Sequence, residues 1–380
     1  MIAVLVFGFI AVLGTIVTTV QALLTRRFRR TLLPFGTGLL SRQAASVSIL
    51  KPVCGLDDEL EENLVSFTRL RGIRYEVIVS AEEWDDPAVE VVRRVMRLHP
   101  KAPFRLVVDG GSSSGVVNRK VERLIAAARV ADGDILVISD SNVRVEPDDL
   151  ARTLAAFADP RVGCVSNLFT GSGARTLGAT LESLHLLGFV ATGAVLAASA
   201  GVPCVVGKSM AISRRAYEAL GGFERFRRVL AEDQAIGVAV KKAGLEVVLS
   251  PVVVRNVIVA RTVKRAVDRQ VRWNKIRYAF SHALYAGELV LNPMVFAILA
   301  ALLAPRDFLL FPLCVTIARW LQFATLNRAT GAGLSWQQLA AAPLLDLLML
   351  YAWLVPFFSN SVTWRGYRAR IGKDTEMIAA

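Results

Sequence analysis

An apolar run from Met1 to Leu24 carries no charged residue and is followed at once by Arg26, Arg27, Arg29 and Arg30. A helix needs roughly 20 apolar residues to span the hydrocarbon core of a bilayer. The run is therefore predicted to be a membrane anchor, and the arginines place the chain beyond them on the cytoplasmic side. A secretory signal would carry its positive charge before the apolar run and a small-residue cleavage site after it, and neither pattern is present. Three more apolar stretches lie near the other end: Leu289 to Ala304, Phe308 to Thr325 and Leu339 to Phe358. They read as spanning or membrane-inserted helices. Arg319 and Asp346 fall inside the second and third, where an ionisable group is expected to face other helices or a water-filled space. Four full crossings would carry the basic tail, Trp364 to Lys373, outside, whereas its charge argues for inside. One segment can be re-entrant or interfacial, and the tail's side stays open.

The composition agrees with a mixed protein. Of 380 residues, 54% are hydrophobic and 20% charged, and the mean hydropathy is +0.46. That is too apolar for an ordinary soluble domain and too charged for membrane helices alone. The net charge of +13 suits an anionic membrane surface or a phosphate-bearing substrate; with this apolar content, nucleic acid is not expected as a partner. Cys54, Cys164, Cys204 and Cys314 are widely spaced, which indicates neither a zinc site nor a disulfide framework.

After a basic linker at 25–45, short β-rich runs alternate with helical ones. Strands are predicted at Val47 to Val53, Glu76 to Ser80, Phe104 to Val108 and Ile135 to Ser139, with helices at Pro87 to Leu98 and Asn118 to Val130. This alternation predicts a doubly wound, mostly parallel α/β sheet over 46–260, with ligands beyond the carboxyl ends of its strands. A further apolar stretch, Leu177 to Val206, interrupts that domain and is expected to lie at the membrane interface. The basic, amphipathic segment 261–286 precedes the membrane helices of 287–358 and the tail of 359–380.

Acidic groups follow three successive strands: Glu82, Glu83, Asp85 and Asp86, then Asp109, then Asp140. Such a cluster calls for a cation or basic side chains in the same crevice. In Asp140-Ser141-Asn142, residues two apart could both turn toward one ion, and their hard oxygens suit Mg²⁺ or Mn²⁺. A strand-ending turn explains the same three residues. Glu232-Asp233 opens a helical run, so Asp233 is either a helix cap or a general base for an acceptor hydroxyl. Arg269 and Arg272 share a helical face and could grip a diphosphate, with Trp273 as an apolar wall, or the helix could lie on anionic headgroups. The Gly110 to Gly115 loop and Gly207-Lys208-Ser209 both lack the spacing of a phosphate-binding loop. Lys120 is the better candidate for the diphosphate.

Taken in order, Asp86 before Pro87, Asp140 in D-S-N, Glu232-Asp233 and R-x-x-R-W at Arg269 to Trp273 resemble the ceramide glucosyltransferase family, within the processive-type GT-A glycosyltransferases. The likeness extends to S-I-L-K-P at Ser48 to Pro52, D-D-P-A at Asp85 to Ala88, N-x-K at Asn118 to Lys120 and W-R-x-x-x-x-R at Trp364 to Arg370. The resemblance implies that Asp86 contacts the nucleotide base or ribose, that Asp140 lies at metal and diphosphate, and that Asp233 is the catalytic base. It assigns Arg269, Arg272 and Trp273 to the donor diphosphate or the acceptor. Many related enzymes have a second Asp where this chain has Asn142, which implies a weaker metal site or one resting more on Asp140. The implied reaction is inverting transfer from a UDP-sugar, first UDP-glucose, to a membrane lipid, first ceramide. A hopanoid or diacylglycerol acceptor and a polysaccharide synthase are the alternatives.

Overall fold

The computed structural model describes residues 1–31, 46–111, 115–364 and 367–379. Most of the expected linker at 25–45, residues 112–114 of the glycine-serine loop and Arg365 of the W-R-x-x-x-x-R pattern lie outside the described residues. The apolar runs of the first half form strands β1 (Val47–Pro52), β2 (Tyr75–Ala81), β3 (Phe104–Val108) and β4 (Ile135–Ser139). Both faces of β1 and β4 are buried along their whole length, as expected for parallel strands covered by helices on each side. β1 lies between β2 and β4, with Ile49 opposite both Val77 and Val137. The crossover helices begin on side-chain caps. Asp86 accepts from the backbone of Ala88 ahead of Pro87–Leu98, and Asn118 accepts from Lys120 and Val121 ahead of Arg119–Arg129.

The second half completes one eight-stranded sheet with β5 (Val143–Arg144), β6 (Val162–Ser172), β7 (Ser209–Ser213) and β8 (Glu246–Val257), in the order β3-β2-β1-β4-β7-β6-β8-β5. β7 runs antiparallel to both neighbours, β4 and β6, while β6 and β8 pair in parallel. The sheet is thus mixed and mostly parallel, with β7 and β5 running against the other six strands.

A helix from Leu177 to Ser199, 23 residues and apolar, joins β6 to β7. Its length would allow a crossing, but the strands it joins are hydrogen-bonded partners, with Cys164 opposite Ile212. A single crossing would put them on opposite sides of a bilayer, which the pairing excludes. The helix instead folds back over β6, close enough that a Cβ on Gly171 would stand 2.1 Å from Ser183 Oγ. Ile2–Arg30 and Pro305–Thr330 are the other helices long and apolar enough to cross. His282–Leu291 and Pro293–Leu303 form a pair bent by 66° at Asn292, and Ala342–Phe357 is a shorter apolar helix. Arg319 and Asp346 meet in a buried two-point ion pair of 2.8 and 2.9 Å. Helix pairing, not snorkelling, thus accommodates these charges. The N-terminal helix joins the same network, because Gln322 accepts from Arg319 at 3.0 Å and donates to Thr19 Oγ1 at 2.8 Å.

The tail forms a three-stranded antiparallel sheet of β9 (Ser361–Trp364), β10 (Tyr367–Ile371) and β11 (Met377–Ala379). It docks on the segment that precedes Glu232. Leu230 donates its backbone N–H to the Thr375 carbonyl at 2.9 Å, and Met377 donates to the Arg228 carbonyl at 2.7 Å.

Candidate active site

A cavity of about 590 Å³ opens where β4 ends and β7 begins, roofed by the 177–199 helix, the basic helix Val263–Phe280 and Gln21 of the N-terminal helix. Lys120, Asp140, Asn142, Asp233, Arg269, Arg272 and Trp273 all line it. Asp86 does not. Its carboxylate caps the 87–98 helix and accepts from the Gly55 backbone at 2.9 Å, so it shapes the turn after β1. Glu82 and Asp109 also turn elsewhere: Glu82 pairs with Arg119 and, at 3.1 Å, with Arg123, while Asp109 accepts from Gly111 at 3.3 Å.

Asp140 carries the charge arrangement. Lys120 Nζ lies 2.9 Å from one of its oxygens and Lys208 Nζ 2.8 Å from the other. Burial alone would raise its carboxyl, but the two ammonium groups outweigh burial and hold it well below the usual carboxylate range. Lys208 also donates to Asn142 Oδ1 at 2.9 Å. The reversal at β7 places this lysine here: Ser139 pairs with Ser209, so the residue entering β7 sits beside the residue leaving β4. Beneath them Lys51, fully buried, donates to the Asp140 carbonyl at 2.7 Å and lies over the Phe67 ring at 4.2 Å. Burial lowers its ammonium to about 7.

Glu232 and Asp233 open the helix Glu232–Lys242. Glu232 accepts from Asn118 at 3.1 Å and pairs with Lys120 at 2.9 Å, so the N-x-K pattern joins both carboxylate sites. Asp233 accepts from the Gly207 backbone at 2.6 Å and from its neighbour Gln234 at 2.8 Å. Burial, reinforced by repulsion from Glu232 and opposed by Lys120, pushes its carboxyl up to about 6. Gly207 is needed for this approach, since a Cβ there would lie 2.9 Å from Lys120 Nζ and 3.1 Å from Asp233 Cβ. On the roof, Arg269 pairs with buried Glu182 and stacks over Trp273 at 4.8 Å; Arg261 reaches the same carboxylate at 3.2 Å. Lys264 instead forms an exposed pair with Asp268.

Lys208, Glu182 and Gln21 are participants to which motif reading gave no role, and Lys51 entered it only within S-I-L-K-P. Glu182 and Gln21 had a usable signal, each being a polar side chain inside an apolar helix. Lys208 had only its Gly207-Lys208-Ser209 context. Asp140 and Asn142 offer two hard oxygens, the donor type expected for Mg²⁺ or Mn²⁺. Both oxygens face lysines, and among the described residues no group of three or more His, Cys, Asp or Glu is arranged to hold an ion. These two residues fit a cation only as part of its shell, with a diphosphate and water supplying the rest.

Strand-end carboxylates and cations at the switch point of a mixed α/β sheet define the layout of a GT-A-type glycosyltransferase fold. A solved mannosyltransferase from Pyrobaculum calidifontis, in complex with GDP-Man and Mn²⁺, shares that fold: its TM-score is 0.51 at 20% identity, over 93% of this chain and 99% of that one. The chain belongs to glycosyl transferase family 21, whose model matches residues 6–377. Ceramide glucosyltransferase 1 of Caenorhabditis elegans is 27% identical over 245 residues, 64% of this chain and 52% of that one. Ceramide glucosyltransferase 3 of the same organism is 28% identical over 238 residues, 61% of this chain and 50% of that one. The chain thus spans about half the length of the curated relatives it matches.

Proposed function

We propose that the protein is a membrane hexosyltransferase that moves a sugar from a UDP-sugar, first glucose, to a lipid hydroxyl, first that of ceramide, with inversion. The observation that carries this reading is the placement of Asp233, in the first turn of its helix, in one cavity with Lys120, Lys208, Arg269 and Arg272; burial pushes its carboxyl up to about 6. A general base works best when its pKa lies near the working pH. Asp233 takes the proton of the acceptor hydroxyl as that oxygen bonds to the anomeric carbon and the bond from that carbon to the diphosphate breaks. UDP leaves with the electron pair, and the lysines and arginines neutralise its growing charge. One displacement with no covalent intermediate inverts the anomeric centre. A divalent cation held in part by Asp140 and Asn142 would add charge neutralisation at the diphosphate.

The lipid acceptor is supported by the 177–199 helix and the N-terminal helix in the cavity's roof, both apolar enough for a membrane, and by the family relatives. Residues 46–260 would be the catalytic domain on the cytoplasmic face, consistent with the arginines after the first helix. The segment 261–286 would lie along the interface and 287–358 in the membrane. Incubating purified protein with a panel of UDP-sugars and lipids, then identifying products by mass spectrometry, tests this reading. Glucosylceramide from UDP-glucose and ceramide is the expected product. Diacylglycerol or hopanoid products would change the acceptor, and absence of any glycolipid would refute the reading.

A further inference from the structure

Beside the main cavity lies a second chamber of about 60 Å³, closed by the 177–199 helix, the bent helix pair and the helices bearing Arg319 and Asp346. Its size admits a small polar group or a few waters and excludes a sugar ring. The two chambers share a wall that includes Gln21, Phe189, Arg277 and Glu288. Deep among apolar helices the second chamber carries polar atoms without partners: His185 Nδ1 and Asn292 Oδ1 make no hydrogen bond, although their residues are only 2% and 8% exposed. Leaving such atoms unmade is costly, so the chamber offers hydrogen-bonding capacity to whatever polar group or water fills it.

The backbone points the same way. Asn292 sits at the 66° break of the bent pair, outside the helical φ/ψ region, and its Nδ2 is anchored to the Asp346 carbonyl at 2.6 Å. That bond leaves Oδ1 as a fixed hydrogen-bond acceptor. Broken helices among membrane helices are tolerated where they line a cavity or are buried in protein. The N-terminal helix presses on the turn just before the break, where a Cβ on Gly14 would stand 2.1 Å from the Val290 carbonyl. Across the shared wall Arg277 holds Glu288 at 2.9 Å, which keeps a second acceptor at the doorway.

We propose that this chamber is the specificity subsite for the acceptor lipid. It receives the amide N–H close to the reacting oxygen, which donates to Asn292 Oδ1 while the reacting hydroxyl stays in the main cavity. The inference rests on the lipid-transferase reading above and adds the feature by which the enzyme discriminates among lipids. Acceptors whose neighbouring groups only accept hydrogen bonds, such as the esters of diacylglycerol, leave Asn292 Oδ1 unmade.

The test uses the full-length protein in detergent, UDP-glucose, and two acceptors matched in their chains, ceramide and N-methylceramide. Wild type should favour ceramide in kcat/KM by about tenfold or more, as expected when one buried hydrogen bond is lost. Asn292→Leu should lose most of that preference while keeping the KM for UDP-glucose. His185→Leu, on a different helix, guards against misfolding at the break and should also reduce the preference. Undiminished discrimination by both variants overturns the subsite alone, as does a wild type that uses both lipids equally. Failure of wild type to glycosylate any lipid overturns the lipid-transferase reading and the subsite with it.

Discussion

Replacing Asp233 by asparagine tests the proposed mechanism at its centre. The amide oxygen can still accept from the Gly207 backbone, which Asp233 now does at 2.6 Å, and only the bond from the Gln234 backbone is given up, so the local fold and donor site should persist. What is lost is proton acceptance, worth about 10²- to 10⁴-fold in turnover for a positioned base. The pH dependence supplies an independent magnitude. With its carboxyl raised from 3.8 to about 6, Asp233 is about nine-tenths ionised at pH 7 and about one-tenth at pH 5 by simple titration. The active form is the carboxylate, so wild-type kcat/KM should rise with pH through about 6 and fall about tenfold from pH 7 to pH 5. An aspartate at the ordinary value would lose less than about a tenth over that interval. The assay is transfer of radiolabelled glucose from UDP-glucose to ceramide in detergent micelles, extracted into organic solvent across pH 4.5 to 8. Asp233→Asn should be slow and flat over this range, with the KM for UDP-glucose within a few-fold of wild type. Normal turnover by the variant, or a wild-type profile that is level between pH 7 and pH 5, would refute the base assignment.

Lys208→Met should raise the KM for UDP-glucose about tenfold or more, the loss of one charge-assisted contact; an unchanged KM would remove Lys208 from the donor site. Arg319→Met should destabilise the protein by about 3–5 kcal/mol because it strands Asp346, whereas Arg319→Met with Asp346→Leu should recover most of that in thermal unfolding. Asp149, buried and raised from 3.8 to about 6, favours its protonated form in the fold. The stability it contributes is full below about 4 and lost as pH rises through about 6. Asp149→Asn should flatten that loss, up to about 3 kcal/mol, and an unaltered melting profile against pH would show that the shift is absent.

The first half of the sheet was legible because its strands are apolar runs broken by well-marked turns. The expected helix Pro87 to Leu98 is observed with the same bounds, and β1 ends one residue before the expected Val53. β6 and β8 escaped because Ser166-Asn167 in the one and Ser250-Pro251 in the other interrupt the apolar run that marks a strand. Within the site, Asp140, Lys120, Asp233 and the R-x-x-R-W residues stand together in one cavity, and neighbours along the chain announced them. Lys208 was hidden for a topological reason. It reaches Asp140 through an antiparallel pairing of distant segments, and no local spacing records that.

The docked tail settles a question of parity. The basic helix Val263–Phe280 lines the catalytic cavity, and β9 to β11 are hydrogen-bonded to the same domain through Arg228 and Leu230. The chain between them therefore enters and leaves on one side of any bilayer and makes an even number of crossings. The bent pair, Pro305–Thr330 and Ala342–Phe357 offer three candidates, so at least one of them does not cross. If Ile2–Arg30 crosses once, the two ends of the chain face opposite compartments. Reporter tags fused at either end would then answer differently to a membrane-impermeant probe.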